Sequence, residues 1–275
     1  MLDFWLNITQ FYLFQFNHTL FRRNRHARTA MVPYRTVPFQ FSNKKTVATL
    51  YLVATPIGNL SDLSYRATDI LKSVSVIACE DTRTSSKLLN HYNIDSKTIS
   101  FHQHNEHRKV KQLIELLDEG KDIAIISDAG SPGISDPGFL AAREAHIRGH
   151  TVCAIPGASA SLAALMASGL PCDRFLFEGF IPAKKGRASK LDYLAQQDVT
   201  VILFESVHRI QKLMDELAVR CDENRLVAVC RELTKQYEEV IRGPLSTVRD
   251  KIRNHPNLKG EFVIIIGAKS YSEQI

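Results

Sequence analysis

The sequence predicts an α/β protein built as two α/β domains, on three observations. Apolar, β-branched runs alternate with amphipathic stretches, the order that builds largely parallel sheets flanked by helices. The apolar run at 123–126 stops abruptly at Ser127-Asp128-Ala129-Gly130-Ser131-Pro132-Gly133-Ile134-Ser135-Asp136-Pro137-Gly138, and helix-like spacing resumes at Phe139-Leu140-Ala141-Ala142-Arg143-Glu144. A second small-residue turn, Pro156-Gly157-Ala158-Ser159-Ala160, lies near the middle of this pattern and marks a natural cut. The division that follows is an extension at 1–46, an N-terminal domain at 47–157, a C-terminal domain at 158–268 and a tail at 269–275.

Taken in order, the strand-like runs are 47–54, 74–79, 123–127, 152–155, 175–177, 200–204, 226–230, 239–241 and 262–266. Each is rich in Val, Ile, Leu or Phe and short enough to be a buried strand. Two intervening helices can be phased. In Val110-Lys111-Gln112-Leu113-Ile114-Glu115-Leu116-Leu117 the apolar positions fall at i, i+3, i+4, i+6 and i+7, and Gly120 suits the C-cap. Ile210-Gln211-Lys212-Leu213-Met214-Asp215-Glu216-Leu217 repeats the pattern at i, i+3, i+4 and i+7. The runs between 226 and 243 are spaced like a hairpin and are expected to pair antiparallel.

The extension is a different material. Residues 2–21 are rich in Phe, Leu, Trp and Tyr, and the arginines come after them, the reverse of a secretory signal. An acid-poor, Arg-rich transit peptide and a translation start at Met31 both stay open. The extension is expected to be poorly ordered and dispensable. It also explains the charge: Arg22, Arg23, Arg25, Arg28, Arg35, Lys44 and Lys45 face only Asp3, so these residues hold the whole net charge of +6 and the body is neutral. The charge total therefore gives no argument for nucleic-acid binding, which must come from local clusters. Cys79, Cys153, Cys172, Cys221 and Cys230 are scattered without a CxxC, and three lie in or beside apolar runs. Buried, reduced thiols in a reducing compartment are the natural reading, not a disulfide framework or a zinc site. No apolar window approaches the eighteen residues of a membrane span.

Polar clusters stand at five strand ends. Thr55-Pro56-Ile57-Gly58-Asn59-Leu60-Ser61-Asp62 follows the first strand; it is neither a GxGxxG nor a Walker loop. Glu80-Asp81-Thr82-Arg83 follows the second, where two acids are costly unless they face a cleft or pair, or where Asp81 or Thr82 simply caps a helix. His102-Gln103-His104-Asn105-Glu106-His107-Arg108 does not place three histidines on one helical face, so no metal is expected; Asn105 as an N-cap in a solvated loop is the plain alternative. Phe204-Glu205-Ser206-Val207-His208-Arg209 and Cys230-Arg231-Glu232-Leu233-Thr234-Lys235 complete the set, each also readable as an ordinary solvated terminus. Five such clusters exceed what capping needs and describe a polar cleft along one edge of two sheets. The 127–138 loop belongs to this edge, because ligands of open α/β sheets sit beyond the carboxyl ends of the strands.

Several of these segments, in this order, carry a resemblance to a known family. They are Thr55-Pro56-Ile57-Gly58-Asn59-Leu60, Glu80-Asp81-Thr82-Arg83, His104-Asn105-Glu106, Ser127-Asp128-Ala129-Gly130, Pro156-Gly157, Phe177-Glu178-Gly179-Phe180, Glu205-Ser206 with His208-Arg209, and Arg231-Glu232-Leu233-Thr234-Lys235. Over roughly 48–268 the chain resembles the ribosomal RNA small subunit methyltransferase I family, a branch of the tetrapyrrole methylase superfamily. The resemblance implies S-adenosylmethionine (SAM) dependent 2′-O-methylation of a cytidine ribose in the decoding region of 16S rRNA. It also implies two α/β domains with the cofactor cleft between them, a homodimer and a cytoplasmic enzyme acting on the small ribosomal subunit. Its cofactor site carries over to Pro56, Ile57, Gly58, Ser127, Asp128, Ala129, Gly130, Ser131, Ser159, Ala160 and Glu205. The chain departs from the family in its N-terminal extension and in ending soon after Gly267-Ala268, where many members carry a further helical segment.

Transfer from a sulfonium is an in-line displacement, so orientation supplies several kcal/mol, and a base at the poorly nucleophilic hydroxyl adds roughly 10²–10⁴-fold. Glu80, Asp81, His102 and Glu232 are the candidate bases, unranked, with Arg83 beside them. Acidic groups also suit the cationic sulfonium, and no metal is required. Lys184-Lys185-Gly186-Arg187-Ala188-Ser189-Lys190 reads as a phosphate contact, with Arg209, Arg231 and Lys235 as further RNA-binding cations; a solvated loop is the alternative. Methylation of a tetrapyrrole or other small acceptor, and a non-catalytic rRNA-binding assembly factor, are the competing functions.

Overall fold

The first five strands form one wholly parallel sheet, and the reason lies in the residues that separate them. In the computed structural model, which describes residues 47–273, these strands are β1 (Thr49–Val53), β2 (Val76–Cys79), β3 (Thr98–Ser100), β4 (Ile123–Ile126) and β5 (Thr151–Ile155). Their order is β3-β2-β4-β1-β5, and every pairing is parallel. Each connection contains a helix: α1 (Tyr65–Ser73), α2 (Thr82–His91), α3 (Glu106–Asp118) and α4 (Phe139–Ile147). Parallel neighbours need such crossovers, and the helices cover both faces. β2 and β4 are accordingly buried at all four positions. Alternate residues of β4 point opposite ways: Ala124 and Ile126 pack with Leu71 and Leu89, while Ile123 and Ile125 pack with Leu113 and Leu117.

The second sheet departs from the expected parallel pattern. It contains β6 (Phe175–Phe180), β7 (Thr200–Ser206), β8 (Leu226–Arg231), β9 (Glu239–Pro244) and β10 (Glu261–Ile266), in the order β6-β7-β10-β8-β9. Only β6 and β7 are parallel. β8 and β9 pair antiparallel, as their hairpin spacing predicts. The last strand inserts between β7 and β8, antiparallel to both, which no local pattern announces. Helices α6 (Arg187–Ala195), α7 (Ile210–Ala218) and α8 (Leu245–Arg253) cover one face through Leu191, Leu213, Met214 and Val248. The other face packs on α5 (Ala160–Ser168) through Ala164 and Leu165, and Ile57 from the loop after β1 joins this cluster. α5 ends at Gly169 in the left-handed conformation, a frequent glycine stop.

Local chemistry fixes several boundaries. Ser64 and Asp81 accept the first free N–H groups of α1 and α2, from Ala67 (3.1 Å) and Arg83 (2.8 Å). Asn105 does occupy the N-cap of α3, yet its side chain does not cap; it accepts the His102 N–H at 2.9 Å instead. β3 escapes a sequence reading because it is a three-residue edge strand, Thr-Ile-Ser, without an apolar run; it is held through Phe101 N–H to the Cys79 carbonyl (2.7 Å). Cys79 and Cys230 are buried and Cys153 is half-buried; burial raises the Cys79 thiol to about 11 and the Cys230 thiol to about 12. Among the described residues no helix is long and apolar enough to cross a membrane. The extension at 1–46 lies outside the described residues.

Candidate active site

Strand order brings distant sequence segments to one edge. β4 lies between β2 and β1, so the chain leaving Cys79, the chain leaving Ile126 and the chain leaving Val53 emerge side by side at the carboxyl end of the sheet. The last two are then clamped together. Thr55 N–H donates to the Gly130 carbonyl at 2.8 Å, Gly130 N–H returns to Thr55 at 3.1 Å, and the Thr55 hydroxyl donates to the Ser127 carbonyl at 3.1 Å. Gly130 has φ +81°, a conformation that side chains resist by roughly 1–2 kcal/mol. The rest of the loop is self-braced, with Gly133 N–H bonded to the Pro137 carbonyl at 3.1 Å. Its far end is held by Glu106, whose Oε1 accepts the N–H groups of Gly138 (3.0 Å) and Leu140 (3.3 Å) at the start of α4.

Opposite this edge stand the ends of β7 and β8 and the start of β10, and the space between is a cleft of about 570 Å³. That volume lies within the usual range of a small-molecule site. Ile57, Phe204, Leu233 and Val263 give it apolar walls. Residues 128–131 present loop backbone, and Ser159 to Ser161 close one side at the start of α5. Three carboxylates enter from the first sheet: Glu80, Asp128 and Asp136. Glu80 Oε2 accepts the Asp128 N–H at 3.3 Å, and Asp128 Oδ1 accepts the Asp81 N–H at 3.1 Å, tying the ends of β2 and β4 to each other. Burial, then the charges of Glu80 and Asp128, push the Asp136 carboxyl up to about 6. Of the four non-glycine residues with positive φ among the described residues, Ser135 (+68°) lines the cleft, and Glu232 (+50°) and Thr234 (+66°) flank Leu233 of its wall in sequence. Strain of this kind collects at binding sites, where surrounding structure overrides it.

The expected cofactor residues divide cleanly. Ile57, Asp128, Ala129, Gly130, Ser131, Ser159, Ala160 and Glu205 line the cleft. Pro56, Gly58 and Ser127 do not. Gly58 lies against the Lys235 stem, which leaves no room for a Cβ, and the Ser127 hydroxyl is buried near the Gly130 carbonyl at 3.3 Å. Glu205 borders the cleft, but its carboxylate is spent inside the protein: Arg209 Nε reaches it at 2.7 Å, Arg187 Nη1 at 3.4 Å and the Ser206 N–H at 2.7 Å.

Of the candidate bases only Glu80 lines the cleft. Asp81 caps α2 and pairs with the exposed Arg83, whose hydrogen bond drives the Asp81 carboxyl down to about 2. Glu232 pairs with Lys235 at 3.0 Å, and Lys235 also holds Glu261 at 3.0 Å. His102 stands outside the lining, with its Nδ1 buried and unpartnered. Two RNA assignments are corrected. Arg187 is 4 % exposed and grips Glu216 at 2.7 Å; Arg231 is 6 % exposed and donates to the Lys259 carbonyl at 2.6 Å. Neither guanidinium is presented to a phosphate. Lys184 and Lys185 are exposed, Lys190 pairs with Glu178 at 2.8 Å, and Arg209 is committed to Glu205. Asp136 was not among the expected site residues, though it sits in the 127–138 loop; a carboxylate inside a Gly/Pro ligand loop is the signal that points to it.

Comparison with known proteins identifies the family. The profile of the Tetrapyrrole (Corrin/Porphyrin) Methylases matches residues 49–249. The chain is 47% identical over 223 residues, 80% of its length and 82% of the relative's, to "Ribosomal RNA small subunit methyltransferase I" of Xylella fastidiosa strain Temecula1. It is 41% identical over 229 residues to the protein of the same name from Escherichia coli O157:H7, covering 82% and 80% of the two chains. Among solved structures, diphthine synthase superposes with a TM-score of 0.60 at 15% identity, over 80% of this chain and 90% of that one. Uroporphyrin-III-C-methyltransferase from Thermus thermophilus gives 0.55 at 19%, over 80% and 94%. These two similarities speak to the fold.

Proposed function

Because this chain belongs to the tetrapyrrole methylase family, and within it to the ribosomal RNA small subunit methyltransferases I, we propose that it uses SAM to methylate a cytidine 2′-oxygen in the decoding region of 16S rRNA. The observation that supports this most directly is the cleft itself, with loop backbone on one side, apolar walls on the other and carboxylates from the first sheet. An adenosine suits the first two, and a cationic group suits the third. When bound, SAM supplies an electrophilic methyl group carried on a positive sulfur.

The residues around it do the rest. The 128–131 backbone and the turn at Ser159 and Ala160 would hold the nucleoside, and Ile57 and Leu233 would exclude water from it. Asp128 and Glu80, fixed by the hydrogen bonds between their strand ends, offer negative charge without having to move. Rigid placement of donor and acceptor is the larger contribution, because it replaces a chance encounter by a held alignment. Lys184 and Lys185, free on the exposed loop after β6, are the cations available to ribosomal phosphates. We further read the protein as a homodimer that works in the cytoplasm, where small subunits are assembled.

The test offers labelled SAM with three acceptors: small ribosomal subunits, naked 16S rRNA and a precorrin. Label in RNA, located by mass spectrometry at a cytidine ribose, supports the proposal. Label in the pigment, or RNA binding without transfer, overturns it.

A further inference from the structure

We propose that the carboxylate of Asp136 accepts the proton of the acceptor hydroxyl as the methyl group is transferred. This role rests on the methyl-transfer reading above and adds the identity of the base. Geometry separates Asp136 from the two other carboxylates of the first sheet. Glu80 and Asp128 each accept a backbone N–H and so anchor strand ends. Among the described residues no backbone N–H is bonded to the Asp136 carboxylate; its hydrogen-bonding neighbour is the Ser127 hydroxyl. Its oxygens are thus the ones left for a substrate.

Its position is also enforced. Ser135 is held at φ +68°, and its hydroxyl oxygen lies 3.0 Å from where a Cβ on Gly179 would stand. Gly179 is itself at φ +69°, where the register of β6 against β7 shifts. The 131–138 loop therefore leans directly on the second sheet, with Asp136 turned into the cleft. The charged and titratable groups that share the cleft are Glu80 and Asp128 from β2 and β4, Glu205 and His208 at the end of β7, the Cys230 thiol on β8, and Glu261 on β10. Burial and the two nearest acids leave Asp136 with a proton affinity close to working pH, as suits a general base. In the step, the hydroxyl oxygen bonds the methyl carbon, the carbon–sulfur bond breaks with its electron pair staying on sulfur, and the hydroxyl proton moves to Asp136.

The test compares full-length wild type with Asp136→Asn and Asp136→Glu. Three quantities are measured: single-turnover transfer to undermethylated small subunits across pH 5–8.5, S-adenosylhomocysteine binding by calorimetry, and carboxyl titration by ¹³C NMR. Asp136→Asn is expected to slow transfer by roughly 10²–10⁴-fold, with inhibitor affinity held within about threefold. Asp136→Glu should recover part of the rate. The wild-type rate should fall as pH drops below about 6, following a carboxyl resonance that titrates there and is absent from Asp136→Asn. Transfer by Asp136→Asn at near wild-type rate overturns the role alone. So does a loss of inhibitor affinity matching the loss of rate, since Asp136 would then hold the cofactor. A wild-type chain that labels no RNA at any pH refutes the function itself, and the role with it.

Discussion

Exchange of Asp136 for asparagine should make the fold more stable at neutral pH while it removes turnover. The carboxyl stands at about 6 in the folded chain against an ordinary 3.8, and burial is the first cause. As pH rises past about 4, the carboxyl of the unfolded chain ionises first, while the folded chain keeps its proton until about 6. In that window the folded state binds more protons, so stability falls with rising pH, and above it the penalty is complete. A shift of about two units at 1.36 kcal/mol each sets a ceiling near 3 kcal/mol. The cleft is open to water, and screening brings the expected value to about 1–2 kcal/mol. Asparagine fills the same space and never ionises, so it escapes this cost. For a chain of this length the gain is a rise in Tm of roughly 3–6 °C. Thermal and urea unfolding of both proteins without SAM, at pH 4 and pH 7.5, would measure it. The two curves should nearly coincide at pH 4 and separate at pH 7.5. Equal stability at both pH values, or a less stable variant at pH 7.5, would refute the argument that burial and neighbouring acids set this group's proton affinity.

Glu205→Gln should act chiefly through folding: it removes the charge from a fully buried carboxylate that holds Arg187 and Arg209. Breaking one side of a buried pair costs about 3–5 kcal/mol, and the remaining Glu216 partner of Arg187 reduces this to about 2–4 kcal/mol. Urea midpoints check it, and a change below about 1 kcal/mol would show the network to be idle. Neutralising Lys184 and Lys185 together should weaken RNA binding and flatten the plot of log affinity against log salt by about one to two. An unchanged slope in a filter-binding salt series would remove this loop from the RNA contact.

Much of the architecture is legible in the chain because burial dictates period. β2 and β4, covered on both faces, must be unbroken apolar runs, and they read as such. The helices at 110–117 and 210–217 announce themselves because one face meets a core and the other meets water. What fails to announce itself has a physical reason in each case. β3 is a short edge strand and needs no apolar run. α5, Ala-Ser-Leu-Ala-Ala-Leu-Met-Ala-Ser, carries small and apolar residues on all sides, so no face can be phased. β10 takes its place between β7 and β8 through pairings 31 or more residues away in sequence, which periodicity cannot encode.

The site divides along the same line. Main-chain contributions were readable, because a Gly/Pro loop at a strand end is a local property of composition. Side-chain roles were not, because they depend on which strand ends become neighbours. Glu80 and Asp81 are adjacent in sequence, yet the alternation of β2 sends one into the cleft and leaves the other as a helix cap paired with Arg83. Arg187 and Lys185 sit two residues apart in one basic run, and the turn at Gly186 buries the first against Glu205 and Glu216 while exposing the second. The proton affinity of Asp136 is a still longer-range property. Burial of the loop against the cleft is its first cause, and β4, inserted beside β2, adds to it by bringing Glu80 close to the loop that holds Asp128 and Asp136. Strand order and burial together thus tune the chemistry of this loop, and a change that separated β2 from β4 would remove the Glu80 contribution and lower the proton affinity of Asp136 without touching it.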